Sequence, residues 1–485
     1  LSFGVGLEAM VKESKPLSSQ VTKLAEQVQF TVATKTISGD PIQHQIGRLN
    51  GGNIAAFKPR EDAQEAAIAK LTAEGCTLVR RGRFATTMSG PAEVVERLIG
   101  SKLVVQARAR RSPLPATQMF AARFDPPLAR DLFLTPPSSL SVPATFSENV
   151  DHLVFIPPPL FFDGPSDTNP AVAFHAVDEA RIRELLNVPP EFDGDGIRVA
   201  LVDSGFYPHP YYTNRGLRLT PTPTKSAPTP EVDSFGHGTA IAYNVFAVAP
   251  KVEILGFQQT EPPQDALEDA SDRKVDVISC SWGWDREQVF PVVQASLISI
   301  MQEGTIVLFA AGNGHYAWPG SQPDVISVGG VYWNRDQKLE ASDYASGYMS
   351  GMFPNRRVPD VSGLCGQRPK AVYIMMPTQP GNVMDRENGG SAFPDGDGAG
   401  VDDGWVGASG TSSATPQIAG IVALMAQKAR AEGKSLTPTR AKQILESSCT
   451  GVTAGRNAMG FPAVGQPNTA VGYGLVDAAV ALSNV

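Results

Sequence analysis

From Ala171 onward, short runs of Val, Ile and Leu alternate with helical stretches, and this alternation restricts the fold more than any other feature. Ile197-Arg198-Val199-Ala200-Leu201-Val202, Val275 to Ser279, and Thr305 to Ala310 each read as a strand. A strand covered on both faces loses the in-and-out pattern and becomes a nearly continuous apolar run. Strands of this kind separated by helices predict an α/β domain with a mostly parallel sheet. A long helix after Ser412 and another over Thr437 to Glu446 fit the same plan. In such domains reactive groups collect at the C-terminal ends of the strands.

The N-terminal portion is different. Residues 1–50 offer one helical candidate, with Val21, Leu24 and Val28 on one stripe, and read as an arm. Between Gly51 and Arg111 the order is strand (Ile54 to Phe57), helix (Glu61 to Glu74), hairpin (Cys76 to Val79 with Phe84 to Met88), helix (Pro91 to Ile99) and strand (Leu103 to Val105). That is the ferredoxin-like order, a small α+β domain. About 60 residues bury a marginal core, so the unit is expected to rest on a larger neighbour. Ser112 to Pro170 is a Pro-rich connection whose prolines exclude long regular elements. Its Phe120, Leu132, Phe133, Phe155, Phe161 and Phe162 place it along the surface of a folded domain.

Composition closes off several classes of function. With 41 Lys plus Arg against 49 Asp plus Glu, the formal charge is −8, which argues against a nucleic-acid or anionic-lipid footprint. No apolar run reaches the roughly 18 residues of a membrane span. Cys76, Cys280, Cys365 and Cys449 lack metal-ligand spacing and read as buried thiols.

Three residues sit at strand or helix ends in constrained surroundings. Asp203 ends a strand and precedes Ser204-Gly205, where a shielded carboxylate can orient an imidazole. Taken alone, such an Asp is more often a turn or helix cap. His237 lies between glycines in Phe235-Gly236-His237-Gly238-Thr239-Ala240 and opens an Ala- and Val-rich helix. A lone histidine there defaults to a capping or core role. Ser412 lies in Ser409-Gly410-Thr411-Ser412-Ser413-Ala414-Thr415-Pro416, just before a helix whose N-terminus offers backbone donors beside a developing oxyanion. Its ordinary role is an N-cap. Asn313, in Ala310-Ala311-Gly312-Asn313-Gly314, can lend an amide to the same oxyanion, though Asn-Gly is also a common turn.

In combination these residues are far more specific. Asp203, His237, Asn313 and Ser412, in this order, resemble the subtilisin-like serine peptidases. The resemblance covers roughly Ala171 to Val485 and includes Val199 to Gly205, Gly236-His237-Gly238-Thr239, Ser281-Trp282-Gly283, Ala311-Gly312-Asn313, Gly410 to Pro416 and Gly472 to Ala479. It implies a three-layer subtilisin-like domain in which Ser412 is the nucleophile, His237 the base, Asp203 its orienting partner and Asn313 an oxyanion donor. It further implies that Ser281, Trp282 and Gly283 pair with an extended peptide. Ala311 and Gly312 would wall the pocket for the residue before the cleaved bond, and Ala317 at its floor would admit a medium or large apolar side chain. The sedolisin relatives share Ser-Gly-Thr-Ser but use Glu as base, and His237 disfavours them.

Departures from the family pattern are few. Ala240 stands where a second histidine is usual, and Trp282 and Trp284 are bulky enough to narrow a groove. Asp395 and Asp397 are weak candidates for calcium in a segment that reads first as a solvated loop; no cofactor is required. The ferredoxin-like unit resembles the family's inhibitory prodomain, the alternative being a retained accessory domain. The expected partners are a peptide or protein substrate and this prodomain, within a monomer. Nothing before Lys12 resembles a secretory leader, so an extracellular location is favoured only slightly over a cytoplasmic one.

Overall fold

The computed structural model describes residues 27–109, 130–136, 142–161, 176–259, 262–390 and 396–485. In the N-terminal unit the elements are β1 (Val28–Thr34), α1 (Glu61–Ala73), β2 (Thr77–Arg81), β3 (Thr86–Gly90), α2 (Ala92–Ile99), β4 (Val104–Ala109), β5 (Arg130–Thr135) and β6 (Val150–Val154). Four of the strands form an antiparallel sheet in the order β2-β3-β1-β6. With α1 and α2 this is the ferredoxin-like arrangement, but its outer limits differ from Gly51 to Arg111. The first strand comes from the expected arm and the last from the Pro-rich connection. Ile54–Phe57 is a 3-10 turn rather than a strand, because four apolar residues do not by themselves distinguish the two. Val104–Ala109 pairs only with β5, as a separate ribbon. Val21 and Leu24 of the helical candidate lie outside the described residues, and Val28 begins β1.

The larger domain contains β7 (Arg198–Asp203), β8 (Arg218–Pro221), α3 (His237–Val248), β9 (Glu253–Gln258), α4 (Gln264–Asp272), β10 (Val277–Cys280), α5 (Pro291–Gln302), β11 (Ile306–Ala310), β12 (Ile326–Trp333), β13 (Leu339–Ala341), β14 (Val361–Leu364), α6 (Thr411–Ala431), β15 (Cys449–Thr450) and β16 (Leu475–Val476). The sheet runs β15-β16-β14-β12-β11-β10-β7-β9-β8, with β13 added beside β12. Pairings from β16 through to β8 are parallel; only β13 and β15 are antiparallel. Its two faces are visible in single strands. Val199 and Leu201 pack with α3 and α6, whereas Ala200 and Val202 pack with α4 and α5. This is why the strand sequence is apolar throughout.

The small unit docks on α4 and α5. Ala33, Ile54, Phe57, Phe84 and Ala85 form one apolar cluster with Val292, Ala295 and Ile298 of α5. Arg80 is paired with Glu268, Asp269 and Asp272 of α4, and Arg83 with Asp272 and Glu303. Thr87 donates to the Asp265 carboxylate at 3.0 Å, and Gln264 to Thr31 Oγ1 at 3.3 Å. The four cysteines are free thiols. Among the described residues no helix is long and apolar enough to cross a membrane.

Candidate active site

The strands deliver their C-terminal ends to one region. Asp203 is the last residue of β7, Ser281 follows β10, and Ala311 to Asn313 follow β11. His237 opens α3 and is bound through Nδ1 to Asp203 Oδ1 at 2.7 Å, with both side chains buried. Two glycines make that approach possible. At Gly236, φ is +96° and a Cβ would lie 2.2 Å from the Asn382 side chain; at Gly238 a Cβ would lie 2.2 Å from the Gly205 carbonyl.

The His237 turn is held by a residue that the motif reading passed over. Asp233 is fully buried and accepts from the Gly236 and Thr239 amides and from the Ser204 and Thr239 hydroxyls. Burial pushes its carboxyl above the ordinary aspartate range, and those four donors counter the rise. Its signal was its place four residues before His237. On the other side, Thr378 donates to the Gly236 carbonyl at 2.8 Å, and the amides of Val383 and Met384 donate to the carbonyls of Ser234 and Phe235.

Ser412 lies in the first turn of α6. Pro416, four residues on, has no N–H for the Ser412 carbonyl, and the Ser281 hydroxyl donates to it instead at 2.8 Å. Asn313 Oδ1 accepts from the Thr411 amide and hydroxyl, both at 2.9 Å. Those two donors fix the amide orientation and leave its NH₂ as the donor edge. Asn313 and Ser412 line a small cavity with Ser281, Ala310, Gly312, His315 and Ala317. His315 was not foreseen; its Nδ1 is 2.7 Å from the Tyr316 carbonyl, and its position two residues after Asn313 is the only sequence cue. Ala311 was expected on the cavity wall, but it packs against Tyr348 and Val358 while Ala310 and Gly312 face the cavity.

A segment of the chain itself lies across this region. Leu160 and Gly283 exchange two backbone hydrogen bonds, at 2.7 and 3.2 Å, as an antiparallel bridge. The Phe161 ring lies 5.9 Å from the His237 ring, and the Phe161 carbonyl is 3.4 Å from Ser412 Oγ. Ser412 Oγ also donates to the Ser281 carbonyl at 3.2 Å, while His237 Nε2 is buried and unpartnered. Trp282 also lines the small cavity. The Trp282 indole turns into the core, donating to the Val202 carbonyl, and Trp284 donates to the Pro157 carbonyl of the seated segment.

Over residues 194–474, more than half of the chain, the sequence matches the model of the subtilase family. The chain belongs to that family. The serine protease AprX of Bacillus subtilis (strain 168) is 27% identical over 309 residues, covering 56% of this chain and 65% of AprX. This subtilase thus spans less than two thirds of that relative's length. Fervidolysin of Fervidobacterium pennivorans, a keratinolytic enzyme related to subtilisin, superposes with a TM-score of 0.54 at 15% identity. That likeness covers 95% of this chain and 61% of fervidolysin, and it concerns the fold.

Asp395 and Asp397 are the two calcium candidates. Asp395 lies outside the described residues. Both oxygens of Asp397 are taken by backbone amides, those of Ala399 at 2.9 Å and Gly407 at 2.8 Å. Among the described residues no group of three or more His, Cys, Asp or Glu side chains is arranged to hold a metal.

Proposed function

We propose that this subtilase is a serine endopeptidase made as a zymogen, with the N-terminal unit as its inhibitory prodomain. The observation that carries the catalytic reading is the buried Asp203–His237 hydrogen bond, bridged by Phe161 to the Ser412 hydroxyl. Asp203 holds the imidazole with Nε2 directed away from itself, as a general base requires. His237 takes the Ser412 proton as the hydroxyl attacks the scissile carbonyl, then returns it to the leaving amine. Asn313 and the Ser412 amide stabilise the oxyanion. A substrate in extended form pairs with Ser281 to Gly283 as an added strand.

The zymogen reading is supported by the seated segment. Residues 157–161 follow directly from β6 of the small sheet, so the unit that docks on α4 and α5 also delivers a strand to the groove. With that strand in place the Phe161 carbonyl lies 3.4 Å from Ser412 Oγ, within reach of its proton.

The competing reading is a silent relative that holds peptides in the same groove. Incubating wild type beside Ser412→Ala, read by intact-mass spectrometry, separates the two. Self-cleavage in wild type alone, followed by a serine-directed phosphonate adduct on Ser412, is expected. A folded chain that neither cleaves nor takes the label would leave only the binding role.

A further inference from the structure

We propose that Thr378 and Gln379 are positioning residues for His237. They belong to a clamp, Thr378 to Asp385, that holds the turn from Asp233 to His237 from outside. This rests on the peptidase reading above and adds residues that act on the reaction through the imidazole.

The clamp follows from local sequence. It leaves the strand Met375–Pro377, which pairs with Trp405–Gly407. Pro380 and Gly381, with φ of +71° at the glycine, turn the chain back into a short helix, Val383–Asn388. Asn382 caps that helix by accepting from the Asp385 amide at 2.9 Å. The amides of Val383 and Met384, in the first turn, have no partner within the helix and are free to donate elsewhere. Asp385 fixes the base of the clamp, its Oδ2 accepting from the Gly381 amide at 2.8 Å and the Gly404 amide at 3.1 Å.

The clamp engages the backbone of the turn residue by residue. Gln379 Oε1 accepts from the Asp233 amide at 2.8 Å. The Val383 amide donates to the Ser234 carbonyl at 3.2 Å, and the Met384 amide to the Phe235 carbonyl at 3.1 Å. The Thr378 hydroxyl donates to the Gly236 carbonyl at 2.8 Å. Asn382 donates to Thr378 Oγ1, which leaves the hydroxyl proton for Gly236.

The imidazole is anchored by its Nδ1 contact with Asp203, while Nε2 has no hydrogen-bond partner among the described residues. A ring held at one edge takes its remaining orientation from the backbone that carries it. A misplacement of about 1 Å at a reacting group costs about 10²-fold in rate. The clamp bonds to the turn that carries the base and not to the strand proposed to hold substrate. Its loss therefore acts on kcat rather than on KM.

The test uses the full chain after incubation, with competent sites counted by phosphonate titration. Gln379→Met keeps the side-chain length but removes the oxygen, and Gln379→Glu keeps an acceptor. Thr378→Val removes the hydroxyl, and Thr378→Ser keeps it. Gln379→Met and Thr378→Val are each expected to lower kcat about tenfold with KM within about twofold, while the Glu and Ser variants retain most of it. Should Thr378→Val fail to fold, the Gln379 pair decides, because Gln379 is partly exposed. A second readout needs no turnover. In the ¹⁵N-histidine-labelled Ser412→Ala chain, the hydrogen-bonded Nδ1 proton of His237 is followed by NMR and assigned by its absence from His237→Gln. Its signal is expected to shift with Gln379→Met and Thr378→Val and to stay in place with Gln379→Glu and Thr378→Ser. Unchanged kcat, an effect on KM alone, or a loss that the Glu and Ser variants share would overturn the clamp. Absence of any titratable serine would instead remove the peptidase reading; the NMR signal then decides the clamp alone, and an unmoved signal would overturn it.

Discussion

The Ser281 hydroxyl donates to the backbone carbonyl of Ser412, a carbonyl left without a helical partner because residue 416 is proline. One hydrogen bond thereby ties the edge proposed to pair with substrate to the turn that carries Ser412, the proposed nucleophile. Removing it strands a buried acceptor, which costs about 1–3 kcal/mol. Ser281→Ala is therefore expected to lower stability by that amount, read by denaturant unfolding. Adding Pro416→Ala restores an amide at the i+4 position and is expected to recover part of the loss. Two independent, additive losses would show that the two residues are not linked.

Asn313 offers a different readout. Its Oδ1 is engaged by Thr411, so only its NH₂ edge is available to a developing oxyanion. Asn313→Leu is expected to reduce kcat by about 10²–10³ while KM changes little, as for a donor used mainly in the transition state. Steady-state kinetics on a short peptide checks this; a change confined to KM would assign Asn313 to substrate binding.

Gly236 tests how tightly the His237 turn is built. Any side chain there must adopt φ of +96° and displace Asn382, whose amide also donates to Thr378. A non-glycine residue at such an angle costs on the order of 1–3 kcal/mol. Gly236→Ala is expected to shift His237 and reduce kcat/KM at least about tenfold, whereas Asn382→Ala in the same background should recover some activity. Near-wild-type kinetics for Gly236→Ala would mean that the turn adapts without moving the imidazole.

These positions explain what the sequence made legible. Asp203, His237 and Ser412 stood out because each needs close neighbours: Gly205 and Gly238 pack backbone to backbone, and Pro416 marks the altered first turn of α6. The parallel sheet was equally readable, because Val199 to Val202 must satisfy two apolar faces at once. Long-range contacts left weaker traces. Val150–Val154 joins β1 across more than a hundred residues as an edge strand of the small sheet, and nothing in VDHLV names β1 as its partner. Ala310 and Ala311 are chemically identical, so only the turn after β11 decides which one faces the cavity. Phe161 looked like one more apolar residue in a Pro-rich stretch until its contact with His237 gave it a place.

The docking surface carries a pH dependence of definite sign. Asp265 is buried where α4 meets the small sheet, with Oδ1 accepting from Thr87 and Oδ2 unpartnered. Burial, reinforced by the neighbouring Glu268 and Asp269 and opposed by Thr87 and Arg80, holds its carboxyl well above the ordinary aspartate value. An acid whose value is raised by docking favours the docked form while protonated. Its contribution is complete below about pH 3.9, the ordinary aspartate value, and is lost as pH rises through the raised one. Asparagine mimics the protonated acid at every pH and keeps an acceptor for Thr87. Asp265→Asn is therefore expected to raise the melting temperature at pH 7.5 by roughly 2 °C or more, and to match wild type near pH 3.5. Phosphonate labelling of the unprocessed chain should slow in parallel at pH 7.5, because the small unit holds its strand in the groove more firmly. A variant less stable than wild type at pH 7.5 would show that ionised Asp265 is instead held favourably by Arg80, and would reverse the sign of the dependence.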